Sequence, residues 1–473
     1  MLAAARSPLS SPAVLAQRLE RGFDVLRSTA RDLPVRHRTL RDTVAWSYDL
    51  LADSEKSALC ALGVFVGGFT SESMRSVIAA ARGDDAGDVL ASLVARSLVR
   101  REETRVESRF SMLESIREFA EAELERSGEA DAVRRRHVAH FVAVAEASEE
   151  ALHGSAQIAA QDRLLADAAN IEVALRYCLT VGDAESGLRI GGAIWRFWQS
   201  TGRLEEGRRW LTELLALSGA SPGTQARGLS ALAGLDYWQA RYAATLEHYR
   251  DALAIYERIG DAFGIADTLF AMSTASSWGG DTREGARLAE EALARFEALG
   301  ARERIGMVRM AQGFARWMQG DLAGARPLWE SSIAIARETG DHVEAAHKRL
   351  ALASITFQEG HREQAMHDAF DAMEELLEHG NVSLTVMALD WIAALGAERE
   401  PEACVRLAGA AEELRKTLGG GMRPEACRLA GVRDVASRQL DESTVERAWR
   451  EGARMPLDEA VQYARTMRGA LTE

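Results

Sequence analysis

The sequence predicts an all-α protein, a right-handed solenoid of paired helices preceded by a small winged-helix module with one short β-hairpin. Three observations predict it. Glycine recurs every twenty residues through the second half of the chain, at Gly260, Gly280, Gly300, Gly320, Gly340, Gly360 and Gly380. A fixed period of this kind marks stacked helical repeats. The 473 residues include only eight prolines and are 47% hydrophobic and 27% charged, a balance suited to a packed, helix-rich chain. The apolar period turns from helical to alternating only between Leu98 and Leu113, around a charged tip from Arg100 to Glu107, and this reads as a hairpin.

Taken in order, a helix is expected from Pro12 to Arg27, with Val14, Leu15, Leu19, Phe23 and Leu26 at helical spacing, before a turn at Asp32-Leu33-Pro34. Helices follow at Thr39–Leu51, at Asp53–Leu62 with Asp53 as its cap, at Ser71–Ala81 and at Val89–Ser97. The hairpin and a closing helix from Glu114 to Arg126 complete a winged helix. Residues 131–220 carry apolar positions every three to four residues, with Gly182-Asp183 and Gly202-Arg203 anticipating the later beat.

Residues 221–400 align at a period of forty. A small residue stands at Ala233, Ser273, Gly313 and Ala353, and the turn at Ala240, Gly280, Gly320 and Gly360. Two further small positions follow, Thr245, Gly285, Ala325 and Ala365, then Ala252, Ala292, Ser332 and Ala372. Small side chains let antiparallel helices approach closely, and glycine supplies the positive φ that ends one helix before the next. The spacing matches the tetratricopeptide (TPR) helix pair with longer helices, so the fold class is a right-handed TPR-like α-solenoid. Residues 401–473 stay helical but lose the register, as a terminal cap does.

Several strings of the first half carry a family resemblance. Residues 37–51 (HRTLRDTVAWSYDLL) and 110–120 (FSMLESIREFA) resemble the start and end of the winged helix of STAND-class, NB-ARC-like ATPase regulators. Residues 134–141 (RRRHVAHF) and 170–179 (NIEVALRYCL) resemble the helical arm that follows it. The resemblance implies an ATPase domain, a winged helix and a TPR-like sensor in succession. No G-x-x-x-x-G-K-[ST] loop occurs in this chain, so nothing in it is expected to cradle nucleotide phosphates. Met112-Leu113-Glu114 stands where related ATPases have Met-His-Asp, and Leu113 cannot replace the phosphate-touching histidine that motif implies. The opening residues resemble the stretch after the family's Gly-Leu-Pro motif, so the expected division is a remnant of the ATPase helical subdomain (1–36), the winged helix (37–130), a helical arm with irregular repeats (131–220), TPR-like repeats (221–400) and a helical cap (401–473). No cofactor is expected, with ATP or ADP relevant only if a P-loop domain lies upstream of this chain.

Charge narrows the function classes. The net charge is −14, and it falls wholly on residues 141–473, where 36 basic side chains face 50 acidic ones. Such a surface disfavours nucleic acid, whose phosphates call for a basic face. Arg96, Arg100, Arg101, Arg105 and Arg109 gather at the hairpin, but Glu102, Glu103 and Glu107 neutralise them. Cys60, Cys178, Cys404 and Cys427 are isolated, no signal-peptide core is present, and the longest uncharged apolar stretch, Ser57–Ser71, is too short to span a bilayer. A cytoplasmic protein with no membrane association is therefore expected. His137 and His140 could share a helix face, but no third donor accompanies them, so they read as helix-surface histidines rather than metal ligands. No carboxylate, His, Ser or Cys falls in a catalytic order, and no enzymatic activity is expected.

The informative constellation comes from the repeat register. Counted from the small residue, the inner wall of the solenoid receives Tyr237, Trp238, Phe270, Trp278, Met310, Phe314, Trp317, Met318 and Phe357. Aromatic and Met side chains are typical of adaptable recognition surfaces. Two readings follow: a groove for a protein, a peptide or a small hydrophobic effector, or aromatics buried between repeats. The function expected is a non-catalytic, signal-sensing regulator of the STAND type, with oligomeric state open. A free-standing TPR adaptor is the alternative, and a winged-helix DNA-binding regulator the second alternative.

Overall fold

The computed structural model describes residues 40–78, 86–103, 108–149, 151–153, 157–418 and 431–472. The expected ATPase remnant (1–36), Arg105 and Cys427 lie outside the described residues. The chain divides into two compact units, one running to Val144 and including Asp162–Tyr177, the other formed by Ala145–Gln161 and Cys178 onward.

The first unit opens with helices α1 (Leu40–Asp49), α2 (Asp53–Leu62), α3 (Ser71–Val77) and α4 (Ala86–Ala95). Glu55 rather than Asp53 caps α2, because its carboxylate accepts the Ala52 N–H at 2.8 Å as well as the Ser92 hydroxyl. Thr70 caps α3 by accepting from the Ser73 N–H. Strands β1 (Arg100–Glu103) and β2 (Ser108–Ser111) pair antiparallel, Arg100 opposite Ser111. Phe69 adds a third rung by exchanging two 2.8 Å backbone hydrogen bonds with Phe110. The preceding Gly68 has φ +95, and a Cβ there would stand 2.8 Å from the Phe110 carbonyl, so glycine is required. Helix α5 (Glu114–Ser127) closes the winged helix over buried Leu59, Leu62, Leu93 and Phe119.

Helices α6 (Ala130–Glu149), α7 (Gln157–Ala166) and α8 (Ala168–Val181) each contribute a segment to both units. Within the first unit they correct two expectations. His137 is not on a helix surface: it is buried between Phe65 and Phe141, with ring centroids 5.2 and 4.8 Å away. Arg109 is not a solvated wing residue either. Its guanidinium is buried, donates to Asp167 at 2.6 Å, and also reaches the carbonyls of Gly68 and Ala166. Asn170 completes this network by accepting from the Val66 N–H and donating to the Gly68 carbonyl.

The second unit is the solenoid. Helices α9 (Ala184–Ser200) and α10 (Leu204–Leu215) lead into four antiparallel pairs. They are α11 (Pro222–Trp238) with α12 (Tyr242–Ile259), α13 (Ala262–Trp278) with α14 (Thr282–Leu299), α15 (Arg302–Met318) with α16 (Leu322–Glu338), and α17 (His342–Gln358) with α18 (Arg362–Glu378). The small positions do what the register requires. Ala233, Ser273 and Ala353 are fully buried, and a Cβ on Gly313 would stand 2.4 Å from the Trp329 indole. Gly280, Gly320 and Gly360 have positive φ, and in the first pair Ala240 takes the same conformation at φ 58. After the beat glycines, Asp261, Asp281, Asp321, Asp341 and Asn381 each cap the next helix by accepting the N–H three residues on. Ala301 and His361 occupy two cap positions without such a bond.

The array then returns on itself. Helix α19 (Val382–Gly396) packs against α9, and Ser383 Oγ donates to the Gln199 carbonyl at 2.6 Å across 184 residues of chain. Helices α20 (Pro401–Thr417), α21 (Val432–Ala436), α22 (Glu442–Gly452) and α23 (Leu457–Thr472) follow. Arg465 and Arg468 of α23 pair with Glu374 and Asp371, fastening this segment to α18. Among the described residues no helix is long and apolar enough to cross a membrane.

Candidate ligand cavity in the solenoid

Because α9 and α19 meet, the inner wall of the repeats curves around a deep hollow that stays open to solvent at its mouth. The resulting cavity occupies about 1260 Å³ including its mouth. Tyr237, Trp238, Phe270, Trp278, Met310, Phe314 and Trp317 all line it. Phe357 does not: it packs onto the core of the last repeats, with the Arg362 guanidinium 5.1 Å from its ring centroid. Nothing is described for the side chain of Met318.

Burial grades along the wall. Phe314 and Trp317 are 5% and 1% exposed, whereas Tyr237, Trp238, Phe270, Trp278 and Met310 are half-buried. The two sequence readings therefore apply to different residues of one wall. Trp278 stacks on Phe314 with centroids 4.1 Å apart, Phe314 contacts Trp317, and Trp317 leans on buried Trp329. The Trp329 indole N–H donates to the Met310 carbonyl at 2.8 Å, which holds the floor of the cavity rigid.

The forty-residue register does not reach several lining residues. Trp195 and Arg196 come from α9, within the irregular repeats, and Met387 and Trp391 from α19, beyond the last clean pair. Only the return of the array brings them to the wall. Tyr249 and Trp329 belong to second helices, and their places follow from packing between pairs.

Charged groups are few and clustered. Asp267 lies 3.1 Å from Arg304, and buried Lys348 lies 3.8 Å from Glu344. Arg196 lays its guanidinium over the Trp195 ring at 4.6 Å, and His347 packs 6.0 Å from Trp238. Burial pushes the His347 imidazole below its ordinary range, so it is neutral near pH 7. A smaller, more polar hollow shares Arg196, Trp238 and Glu344 with the main cavity and is bordered by Asp341. Burial, with repulsion from Glu344, raises the Asp341 carboxyl to about 6. Buried polar atoms without a hydrogen-bond partner include Arg196 Nε, Trp317 Nε1, Trp391 Nε1 and His347 Nδ1. Among the described residues no group of His, Cys, Asp or Glu could hold a metal ion.

No family model matches the chain. It is similar to a Mycobacterium tuberculosis protein named "Putative HTH-type transcriptional regulator", 27% identical over 433 residues, covering 88% of this chain and 48% of that one. The chain thus spans about half the length of such relatives. An uncharacterized protein of the same organism is 34% identical over 143 residues, 30% of this chain and 36% of its own length. Among solved structures, it is similar to a Signal Transduction ATPase with Numerous Domains carrying a tetratricopeptide repeat sensor from Pyrococcus horikoshii, with 16% identity, TM-score 0.45, and coverage of 100% of this chain and 73% of the other. It is also similar to NprR in complex with its cognate peptide NprX, with 13% identity, TM-score 0.44, and coverage of 71% of this chain and all of the other.

Proposed function

We propose that this chain is a non-catalytic, signal-sensing part of a STAND-type regulator, and that its solenoid holds an effector in the aromatic cavity of its inner wall. The observation that carries this reading is the cavity itself. Pockets of some hundreds of cubic ångströms, mostly apolar with a few convergent polar groups, are the usual form of a small-molecule site. This one is lined by Trp278, Phe314 and Met310 and carries Arg196 and His347 at its polar side. The relative named as an HTH-type regulator, matched along 88% of the chain, supports the regulatory half of the reading. Because helices from both ends of the array meet at α9 and α19, an occupant touching both would bias how tightly the array closes. That closure is the event we assign to signalling, with any nucleotide-linked step left to a P-loop domain or partner outside this chain.

The test is melting temperature and tryptophan fluorescence of the intact chain against a panel of small amphipathic compounds and short peptides, beside a Thr274→Trp variant that fills the cavity from α13. A ligand that stabilises the wild-type chain and not the filled variant is the expected result. Saturable binding indifferent to Thr274→Trp would place the site elsewhere, as a protein-docking adaptor predicts.

A further inference from the structure

We infer that the cavity takes a small organic acid: a flat aromatic body bearing one anionic group, seated with its anion towards Arg196. The inference rests on the reading of the cavity as an effector site and specifies the effector's chemistry.

Charge matching points to the anion. Three permanent cations line the cavity, Arg196, Arg304 and Lys348, against two carboxylates, Asp267 and Glu344. Arg304 and Lys348 each have their carboxylate, at 3.1 and 3.8 Å. Arg196 has the Trp195 ring and, among the described residues, no carboxylate within ion-pair distance.

Hydrogen bonding points the same way. Of the lining residues' buried atoms without a hydrogen-bond partner, Arg196 Nε, Trp317 Nε1 and Trp391 Nε1 are donors, His347 Nδ1 can serve either way, and the one fixed acceptor, Asp267 Oδ1, already faces the Arg304 guanidinium at 3.1 Å. Arginine and indole nitrogens can only donate. A carboxylate or sulfonate offers several acceptor lone pairs and no donor, so it satisfies such a set. A neutral hydrocarbon would leave them orphaned. A peptide is disfavoured for the opposite reason. Each of its residues buries an N–H as well as a C=O, and the two carboxylates of the lining that could accept such N–H groups, Asp267 and Glu344, already face Arg304 and Lys348. The aromatic body follows from the wall, where Trp278 and Phe314 present stacked faces and Met307 and Met310 can reshape around a ring.

Two fluorescent probes that share one aromatic body separate the possibilities: 8-anilinonaphthalene-1-sulfonate, an anion, and N-phenyl-1-naphthylamine, its neutral counterpart. Titrated into the full chain, the anion is expected to bind once per chain and at least tenfold more tightly than the neutral probe. Arg196→Met is expected to erase that preference while leaving the neutral probe unchanged, and Thr274→Trp to abolish both. Arg196→Gln serves the same purpose if the methionine variant does not fold. Equal or tighter binding of the neutral probe, or a preference that survives loss of Arg196, overturns the organic-acid assignment while the cavity reading stands. If neither probe binds once per chain, or both bind the filled variant normally, the cavity reading itself fails.

Discussion

Trp238 and His347 lie with ring centroids 6.0 Å apart, one at the end of the first helix of the first clean repeat and the other in the first helix of the fourth. Repeats that stack with a constant small rotation touch only their neighbours. This contact therefore records how far the array has turned: the first and fourth repeats face each other across the wall, and α9 and α19 border it. Aromatics that a straighter array would expose become the lining of a deep hollow.

The wall should separate into structural and functional positions. Trp317 is almost fully buried and holds Phe314 and Trp329, so Trp317→Ala should cost about 3–5 kcal/mol. Trp278 is half-buried, and Trp278→Ala should cost less than half as much while lowering affinity for any cavity ligand. Urea unfolding of both variants, paired with probe titration, checks this; equal costs would mean that Trp278 is core alone.

The Arg109–Asp167 pair should behave as a buried staple of the winged helix. Breaking one side with Arg109→Met leaves Asp167 charged and unpaired, at a cost of about 3–5 kcal/mol. Adding Asp167→Leu should recover much of it, because the orphaned charge is gone. A double mutant no better than the single would refute the staple.

His137 makes the first unit acid-sensitive. Burial, with repulsion from His140, lowers its imidazole from 6.5 to about 3. The folded state thus binds fewer protons than the unfolded one across that window. Stability is complete above pH 6.5 and declines as pH falls towards 3, by about 1.4 kcal/mol per pH unit while the shift is fully expressed. His137→Phe, between Phe65 and Phe141, should flatten the decline; thermal melts at pH 7 and pH 4.5 measure it.

Asp341 has the opposite sign. Burial first, then Glu344, raises its carboxyl from 3.8 to about 6, so the folded state holds the proton more tightly. The penalty is absent below pH 3.8, grows as pH rises to about 6 and is full beyond it. Asp341→Asn preserves the helix cap, since asparagine caps equally well. It should stabilise the chain by about 2 kcal/mol at pH 7 and by almost nothing at pH 3.5. A gain independent of pH would point to some cause other than the buried charge.

His361 offers an unfilled cap. Its backbone, at φ −87 and ψ 63, resembles that of Asp281 at φ −94 and ψ 73, yet it makes no side-chain cap bond. His361→Asp should add about 0.5–1 kcal/mol by capping α18. Denaturant midpoints at unchanged slope test it.

Much of the architecture was legible in short-range rules. Gly320 and Gly360 had to be glycine-like because their φ is positive, and Ala233 and Ala353 had to be small because facing helices leave no room. Both constraints repeat wherever the same helix pair repeats, so they printed a period on the chain. Ala240 shows the tolerance of the rule, since an alanine takes the left-handed turn in the first pair. Arg109 and His137 were misread from sequence because burial of a polar residue depends on what arrives from far along the chain: Asp167 for one, Phe65 for the other.

By itself the sequence determined the helix pairs, their forty-residue register and the wall positions of Tyr237, Trp238, Phe270, Trp278, Phe314 and Trp317, though not of Phe357, because turn geometry and helix crossing are settled by residues close in the chain. Tertiary structure alone decided whether that wall would be a shallow groove or a deep hollow. Small rotations accumulate over successive pairs, and no local pattern reports their sum. The packing of α19 against α9, spanned by the hydrogen bond from Ser383 to Gln199, sets Arg196 and Trp391 against the same space.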